Sequence, residues 1–432
     1  MQPDRKHPDA KGKEKAKQFQ VPLSSTGNHR TVKIKEFRGN QTAMKKQIID
    51  MLFTSLRAVI QSVPLCESEK RIFSDELLPS LLTLSKKHDL AHLVCYALQK
   101  NSILGKNNEI SLKFEEEKMA AIYRYERTHA AFSELCAALE ESGTSFMPLK
   151  GSVMHRYYPE PWMRTSCDID ILIHKEDLEK TAQYLIARLS YRQEQTGSHD
   201  VSFFTPSGVH IELHYNLMEP GHAKASAEVL RDVWKASVVK SGYQYWFEMS
   251  DAMFCFYHIA HMAKHFETGG CGIRAFLDLW ILEHRPGLNQ ATCDALLEKG
   301  DLLTFANAAR RLSEVWFTNA ESDELSSQME DFILQGGAYG NQKNRIAIQQ
   351  IKKGSRFRYA ISKIFLSYEE LKFHYPILQK HRFLTPFYEI KRWFKLLFRG
   401  GLKRSAKELE INRRIAKTQT EPINQFLTGI GL

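Results

Sequence analysis

Asp168-Ile169-Asp170-Ile171-Leu172-Ile173 is the most informative segment of this 432-residue chain, and it predicts a β-strand. Its first half alternates polar and apolar residues, as a strand with one buried face does. Side chains two positions apart point to the same face, so the carboxylates of Asp168 and Asp170 should lie about 6–7 Å apart while Ile169 anchors the opposite face. Two facing carboxylates repel each other without cations, so the pair is a candidate metal site. On its own it is equally compatible with a solvated strand edge.

A second predicted strand, Val209-His210-Ile211-Glu212-Leu213-His214, supplies a third carboxylate. Alternation places His210, Glu212 and His214 on one face. If this strand lies beside the first, three carboxylates converge, which is the arrangement needed for two-metal phosphoryl or nucleotidyl transfer. The alternative is a zinc site made of the two histidines and Glu212. It is less favourable, because three alternate positions of one strand chelate a tetrahedral ion poorly.

Lys150-Gly151-Ser152 lies between a predicted strand and a short predicted helix. Glycine lets the backbone approach a phosphate, and the first amides of a helix can bind it, with the Ser152 hydroxyl adding a hydrogen bond. Taken alone, the segment is an ordinary strand–helix turn. Lys150 and Arg164 flank it and can balance the charge of a phosphate ligand. The simpler interpretation of both cations is solvation at the surface.

Together these motifs resemble the nucleotidyltransferase superfamily with the DNA polymerase β-like fold, and more closely the bacterial uncharacterised nucleotidyltransferase family. The resemblance is carried by Leu149-Lys150-Gly151, Tyr158-Pro159, Arg164, Asp168 to Ile173, and Ile211-Glu212-Leu213-His214. It implies an α+β fold in which a small mixed-sheet core is embedded between N-terminal and C-terminal helical regions. The fifteen residues between Ser152 and Asp168 exceed the minimal superfamily pattern, so the resemblance does not predict their path.

The same resemblance implies the roles of the site residues. Asp168, Asp170 and Glu212 would hold two Mg²⁺ or Mn²⁺ ions, and Gly151 and Ser152 would contact the triphosphate of an NTP such as ATP. Members of this family are often encoded beside genes for surface polysaccharides or peptide products. The implied acceptor is therefore a small molecule or a saccharide, which can be lipid-linked.

Three histidines, His258, His261 and His265, follow one another at helical steps of three and four and so share a helix face. Arg274 and Asp278, four residues apart, are predicted to pair along the next helix. The favoured interpretation is a polar helix face packed against the catalytic sheet. The alternatives are a metal site, or a set of residues that lines the nucleotide or acceptor cleft together with His214. Gly269-Gly270-Cys271-Gly272 is predicted to be a flexible connection between the two helices.

The net charge of +10 is unevenly spread. Residues 1–40 carry a net charge of +6, residues 341–432 carry +14, and the body between them carries −10. This pattern argues against a uniformly basic nucleic-acid binder and for an acidic core with cationic ends. The predicted regions are a disordered basic tail at 1–40, helices at 41–142, the nucleotidyltransferase core at 143–222, a helical domain at 223–340, and a basic, aromatic helical segment at 341–432.

The basic segment 341–432 has three interpretations. It is a helical subdomain with a solvated basic face, an interfacial helix that meets anionic lipid with Trp393 and Phe394, or a site for RNA phosphates and bases. The seven cysteines are widely spaced without a C-x-x-C pair, which argues against a disulfide framework and a zinc ribbon. We expect neither a secretory signal nor a transmembrane helix. The predicted location is cytoplasmic, with peripheral contact at the inner membrane face as an extension.

The leading functional hypothesis is transfer of a nucleoside monophosphate from an NTP to a hydroxyl or phosphate acceptor, with release of pyrophosphate. A second hypothesis keeps this chemistry but takes a protein side chain or an RNA end as acceptor. A third is a domain that binds nucleotides or a partner without turnover. P-loop, H-E-x-x-H and G-x-S-x-G motifs do not occur in the sequence, which removes the most readily recognised alternative enzyme classes.

Overall fold

A computed structural model of the chain describes residues 27–105, 108–197, 199–218, 224–398, 401–415 and 417–432. The chain divides into two units, Met1–Gln47 and Ile48–Leu432. Residues 1–26 of the predicted disordered tail lie outside the described residues, whereas residues 27–40 are helical. Everything below concerns the second unit, apart from the start of the first helix.

Five helices precede the sheet. They are α1 (Gly27–Ile60), α2 (Glu67–Lys70), α3 (Leu78–Lys87), α4 (Ala91–Lys100) and α5 (Glu109–Glu141). The long helix α5 begins after Asn108, whose side chain accepts a hydrogen bond from the Ser111 amide at 2.8 Å. This is the N-cap arrangement that satisfies one of the free amides of a first turn. The helix ends close to Gly143, whose φ of +68° suits a glycine after a helix.

A five-stranded mixed sheet follows α5. Its strands are β1 (Phe146–Pro148), β2 (Asp168–Ile173), β3 (Arg192–Thr196), β4 (Asp200–Phe204) and β5 (His210–His214), with α6 (Gly151–Met154) and α7 (Leu178–Leu189) in the connections. The spatial order is β1-β2-β5-β4-β3. Strands β2 and β5 are parallel, and the other pairs are antiparallel. The small mixed sheet predicted from the sequence is therefore confirmed.

The two faces of β2 have opposite characters. Ile169, Ile171 and Ile173 are fully buried in a cluster with residues of β4, β5, α5 and α7. Because side chains alternate along a strand, this burial forces Asp168 and Asp170 onto the other face. The parallel register places Asp168 opposite His210 and Asp170 opposite Glu212. The apolar pattern of β2 thus determines where its carboxylates lie.

Helices dominate the remainder of the chain, which also contains a small ribbon of β6 (Ser237–Val239) and β7 (Phe247–Met249). The first six helices of this part are α8 (Lys224–Leu230), α9 (Asp251–Phe266), α10 (Ile273–His284), α11 (Gln290–Lys299), α12 (Leu303–Phe317) and α13 (Glu324–Gln335). The last six are α14 (Gln342–Lys353), α15 (Arg356–Ile364), α16 (Tyr368–His374), α17 (Thr385–Phe398), α18 (Gly401–Arg414) and α19 (Lys417–Gly429). Among the described residues, no helix has the length and apolar character needed to cross a membrane.

One large core joins regions that the sequence separates. Side chains of α1, α3 and α4 pack in the same cluster as those of α9, α10 and α12, together with Met147 and Leu149 beside the sheet. Helix α9 is buried on most of its surface. The helices before and after the sheet therefore form one support that faces the carboxylates of β2.

Candidate functional site

Three carboxylates converge on the polar face of β2 and β5. Asp168, His210 and Glu212 each offer a ligand atom within 4.8 Å of the others, and so do Asp170, Glu212 and His214. Each group combines an aspartate of β2 with residues of β5. The arrangement therefore differs from the zinc alternative, in which all ligands came from one strand. Carboxylate oxygens are the donors that Mg²⁺ and Mn²⁺ prefer, so the donor chemistry suits these ions.

Asp170 is the most firmly held of the three. Lys150 Nζ lies 2.7 Å from its Oδ1 atom, and His214 Nε2 donates to the same oxygen at 2.8 Å. Burial opposes the charge of Asp170, but the Lys150 ammonium and the hydrogen bond from His214 outweigh this and hold its pKa well below the usual range. In the described part of the chain both contacts go to Oδ1, so Oδ2 is the oxygen available to a cation or substrate.

The other two carboxylates have different surroundings. Burial first, and then the charges of Asp170 and Glu212, raise the pKa of Asp168. Its Oδ1 atom accepts a hydrogen bond from Ser166 at 3.1 Å. Glu212 lies 3.4 Å from Nε2 of His214 through its Oε2 atom. An added cation at this face would relieve the repulsion that raises the pKa of Asp168.

The segment that carries Lys150 is a tight turn rather than an open helix start. Lys150 has φ +45° and ψ −122°, which matches the first central position of a type II′ turn. The turn is closed by the Ser152 amide, which donates to the Leu149 carbonyl at 3.1 Å. The Val153 amide likewise donates to the Lys150 carbonyl at 3.1 Å. These two amides are thus used within the turn, contrary to the expectation that the helix start presents free amides.

Gly151 borders the main cavity at the carboxylates, and Ser152 does not. A Cβ atom on Gly151 would come within 2.7 Å of the Ser166 hydroxyl, so only glycine allows the segment before β2 to pack this closely. Gly151 lines the main cavity together with Asp168 and Asp170. Ser152 lines two smaller cavities, one of which it shares with Gly151.

Arg164 and Arg274 are engaged with acids of other segments, the buried Asp278 and the half-buried Asp89. Arg164 Nε donates to both carboxylate oxygens of Asp278, at 2.8 and 2.9 Å, and Tyr158 donates to the same carboxylate at 2.7 Å. Arg274 Nη1 donates to Asp89 at 2.6 Å. The prediction that Arg274 and Asp278 pair with each other is therefore wrong. Each faces a partner from a distant segment, and such partners cannot be read from helical spacing.

The three histidines of α9 all line the main cavity. His258 Nε2 donates to the Ala275 carbonyl at 2.8 Å and so links α9 to α10. His261 and His265 meet edge to face, with ring centroids 4.4 Å apart. Burial and then the Lys150 charge hold the pKa of His261 well below its ordinary value, so its imidazole is neutral near pH 7. His261 is thus a neutral hydrogen-bonding group next to the carboxylates.

The main cavity has a volume of about 250 Å³. Residues predicted from the sequence account for much of its wall: Lys150, Gly151, Arg164, Asp168, Asp170, His258, His261, His265, Arg274 and Asp278. Ser166, Cys167 and Tyr339 also line it and were not predicted. Ser166 and Cys167 directly precede β2, and this position next to the Asp168 strand could have predicted them. Tyr339 lies far away in the sequence, and no local pattern could have predicted its place in the cavity wall.

A second cavity adjoins the first and shares His265 and Tyr339 with it. It is bordered by two cations from the C-terminal part of the chain, Arg345 and Lys407, and by the polar residues Thr268, Asn341 and Gln342. No carboxylate lies within ion-pairing distance of Arg345 or Lys407 among the described residues. In the main cavity, by contrast, Lys150, Arg164 and Arg274 are each neutralised by an aspartate.

The site combines carboxylates from two parallel strands with a strand–turn–helix segment next to them. This is the arrangement that the sequence motifs predicted for a nucleotidyltransferase. A model of the uncharacterised nucleotidyltransferase family matches residues 75–318, more than half of the chain, and the chain belongs to this family. The resemblance inferred from the motifs is thereby confirmed. Membership supports nucleotidyl transfer with an NTP substrate as the general chemistry. Comparisons with curated proteins and with solved structures find no significant match.

Proposed function

We propose that this protein is a metal-dependent nucleotidyltransferase that moves a nucleoside monophosphate from an NTP to an acceptor and releases pyrophosphate. The observation that carries this proposal is the parallel register of β2 and β5, which sets Asp170 beside Glu212 and brings Glu212 close to Asp168. Both aspartates line the main cavity, whereas Glu212 lies next to them on β5 and does not line it. The order of the motifs also supports a polymerase β-like arrangement of the core. The transferase class follows from the family, whereas the dependence on metal and the acceptor are the parts that we infer.

Asp168, Asp170 and Glu212 would hold two Mg²⁺ or Mn²⁺ ions, because their donor atoms are oxygens and their mutual repulsion calls for cations. When bound, such ions lower the charge on the reacting phosphate and favour the deprotonated acceptor. Lys150 and His214 fix the rotation of Asp170, and Ser166 fixes Asp168. Gly151 keeps the backbone close to the cavity, where the triphosphate is proposed to lie with Ser152 nearby.

Arg164 is proposed to position the site rather than to bind phosphate. Its guanidinium also donates to the Thr165 carbonyl at 2.6 Å, and Asp278 takes its other bonds. The side chain is thus occupied by protein groups and ties the segment before β2 to α10. In this interpretation Lys150 and the metal ions, and not Arg164, balance the charge of the NTP.

The second cavity supports an acceptor that carries an anionic group. Its unpaired cations, Arg345 and Lys407, lie beyond Tyr339 as seen from the carboxylates. A phosphate or carboxylate on a small acceptor or saccharide would be neutralised there while its hydroxyl faces the carboxylates. We propose that acceptors enter through this cavity. A protein or RNA acceptor is the alternative that the same basic cavity would admit.

The decisive experiment compares Mg²⁺-dependent transfer from labelled NTPs by the wild type, Asp168→Asn and Glu228→Gln. Asp168 is preferred to Asp170 because its loss leaves no buried lysine unpaired. We expect transfer to fall by more than about 100-fold in Asp168→Asn, since metal ligands matter at least as much as the groups that support them. Glu228 is an exposed carboxylate on α8, and its replacement should leave the rate unchanged. Equal rates in all three proteins would refute the proposal.

The non-catalytic hypothesis is separated by calorimetry and thermal unfolding with each of the four NTPs, with and without Mg²⁺. Ligands that bind the native state raise its stability, and at a given concentration the tighter ligand raises it more. Stabilisation that needs Mg²⁺ and is lost in Asp168→Asn supports the enzyme. Binding without any dependence on metal, together with the absence of product, supports a nucleotide-binding protein.

A further inference from the structure

Helices α15 and α17, with the residues that flank them, expose an unusual number of large apolar side chains. Phe357 is 70 % exposed and Phe383 is 78 % exposed. The full set, called the 357–394 surface below, consists of Phe357, Ile361, Ile364, Phe365, Phe383, Phe387, Ile390 and Phe394. Single exposed apolar residues are ordinary, but a concentration of this kind marks an interaction surface. The surface lies outside residues 75–318, which the family model matches.

The spacing of these residues places them on helix faces rather than at scattered points. Phe387, Ile390 and Phe394 follow one another at steps of three and four along α17. Phe357, Ile361 and Ile364 do the same along α15. Glu389 of the same helix is buried and paired with Arg392. Among its described side chains, α17 thus exposes three large apolar groups beside the exposed Lys391 and Lys395.

Hydrogen bonds and a ring contact join the end of α15 and the two residues after it to α17. Trp393 Nε1 donates to the Ile364 carbonyl at 2.9 Å, and the Arg392 guanidinium donates to the same carbonyl. The Leu366 amide donates to Glu389 at 3.1 Å. The Phe365 and Trp393 rings lie 5.2 Å apart, centroid to centroid. The surface is therefore a fixed part of the fold.

Cations border the apolar residues. The exposed basic side chains in this stretch are Arg356, Arg358, Lys363, Lys380, Arg382, Lys391 and Lys395, of which Lys363 is paired with Glu408. Of the acids described there, Glu389 is buried, and the exposed Glu370 caps the start of α16 through Ser367. The surface thus combines exposed phenylalanine and isoleucine with an excess of positive charge.

We propose that the 357–394 surface docks onto an anionic lipid membrane and lies in the headgroup region without crossing the bilayer. Phenylalanine and isoleucine enter the boundary between headgroups and acyl chains, while lysine and arginine meet anionic headgroups. A second copy of the chain would bring two positive surfaces together, which disfavours a dimer. Isoleucine cannot stack on bases, which disfavours RNA as the main occupant. The inference does not depend on the reaction proposed above.

Co-sedimentation of the full chain with lipid vesicles tests this inference. The vesicles are phosphatidylcholine alone, or an equimolar mixture of phosphatidylcholine and phosphatidylglycerol. We expect binding to the mixture to be much stronger and to weaken as salt is added, because salt screens the lysine and arginine charges. The double variant Phe387→Ser/Phe394→Ser should bind the mixed vesicles about tenfold or more weakly, since it removes two apolar anchors. Lys391→Gln/Lys395→Gln should reduce the preference for phosphatidylglycerol.

The matched control is Leu112→Ser/Met119→Ser on α5, two side chains of similar exposure in a different part of the chain. It should bind vesicles as the wild type does. All these positions are exposed, so circular dichroism and thermal unfolding should match among the variants. Three outcomes would overturn the proposal: wild type that does not sediment with either vesicle, equal binding by the phenylalanine variant, or a dimer in light scattering that this variant abolishes. RNA binding that needs the lysines while vesicles are ignored would assign the surface to RNA instead.

Discussion

Lys150 adopts a backbone conformation that residues with a side chain rarely take, and its ammonium group forms a buried ion pair from this position. A φ of +45° costs a non-glycine residue on the order of 1–3 kcal/mol. The turn aims the side chain at Asp170, and burial alone would lower the pKa of Lys150. The Asp170 carboxylate outweighs this and raises the pKa above its ordinary value. The strain is therefore balanced by an ion pair at the proposed metal site.

Two replacements of Lys150 separate the backbone from the charge. Lys150→Ala and Lys150→Gly both remove the ammonium and its stem, so both should reduce transfer by more than about tenfold. Glycine tolerates the positive φ and alanine does not, so Lys150→Gly should be more stable than Lys150→Ala by about 1 kcal/mol in urea unfolding. The measurements are initial rates with saturating Mg²⁺ and equilibrium unfolding curves. Equal stability of the two variants would show that the turn is not strained.

At the scale of elements, the loop between α9 and α10 and the loop after α13 both contain glycines and cross beside the main cavity. The Gly272 amide donates to the Ala338 carbonyl at 3.2 Å, and the Asn341 amide donates to the Gly269 carbonyl at 3.1 Å. The segment expected to be a flexible connection is thus bonded to the loop after α13. The crossing places Tyr339 at the boundary between the two cavities, where its hydroxyl lies 3.7 Å from the Cys167 sulfur.

Gly340→Ala should disrupt this crossing. Its φ is +76°, and a Cβ atom there would lie 2.6 Å from the Gly269 carbonyl oxygen and would also meet that of Gly270. Gly354 has the same φ, but its nearest neighbour is a flexible arginine end at 3.5 Å, so Gly354→Ala is the matched control. We expect Gly340→Ala to lose about 2 kcal/mol more in urea unfolding than the control, because backbone must move. Equal losses would mean that the loops adapt.

The elements that the sequence predicted well are those with a clear period. Strands β2 and β5 follow from alternation, and β2 has the predicted bounds. Strand β3 was not predicted, because Arg192-Gln193-Glu194-Gln195 lacks an apolar face. The sequence did not predict Tyr339 and Asp89 as site residues, because they reach the site only through tertiary packing. The roles of Ser152 and Arg164 depend on turn geometry and on Asp278, neither of which a local pattern encodes.

Across the whole molecule, the carboxylates of the proposed active site and the exposed cationic and apolar side chains lie in different parts of the chain. The carboxylates lie in the acidic body, where Lys150, Arg164 and Arg274 are each paired with an aspartate. In the part of the chain that the structure describes, Arg345 and Lys407 at the second cavity and Lys391 and Lys395 on the 357–394 surface have no ion pair. Under the two proposals above, the same segment would neutralise an acceptor and hold the protein at a membrane. A lipid-borne acceptor would satisfy both features.

Two buried histidines couple the stability of the whole molecule to pH. His88 is fully buried, and both of its ring nitrogens lack a partner among the described residues. Burial, with the neighbouring Lys87 charge, lowers its pKa to about 4. Burial also lowers the pKa of His92 to about 4, although its Nε2 donates to the Met163 carbonyl at 2.9 Å. Both imidazoles are thus neutral in the folded state at neutral pH.

The folded protein should lose stability as the pH falls from about 6.5 toward 4, because the unfolded chain binds protons there and the buried imidazoles do not. From the unfolded pKa near 6.5 and the folded value of about 4, each histidine should cost about 2 kcal/mol between pH 7 and pH 5. His88→Leu should therefore lose about 2 kcal/mol less than the wild type over this interval. The pKa of His214 is raised, so its protonation stabilises the folded protein as the pH falls. This contribution is the same in the wild type and in His88→Leu, so it does not affect their difference. Urea unfolding at both pH values measures the difference, and identical losses in the two proteins would contradict a neutral, buried His88.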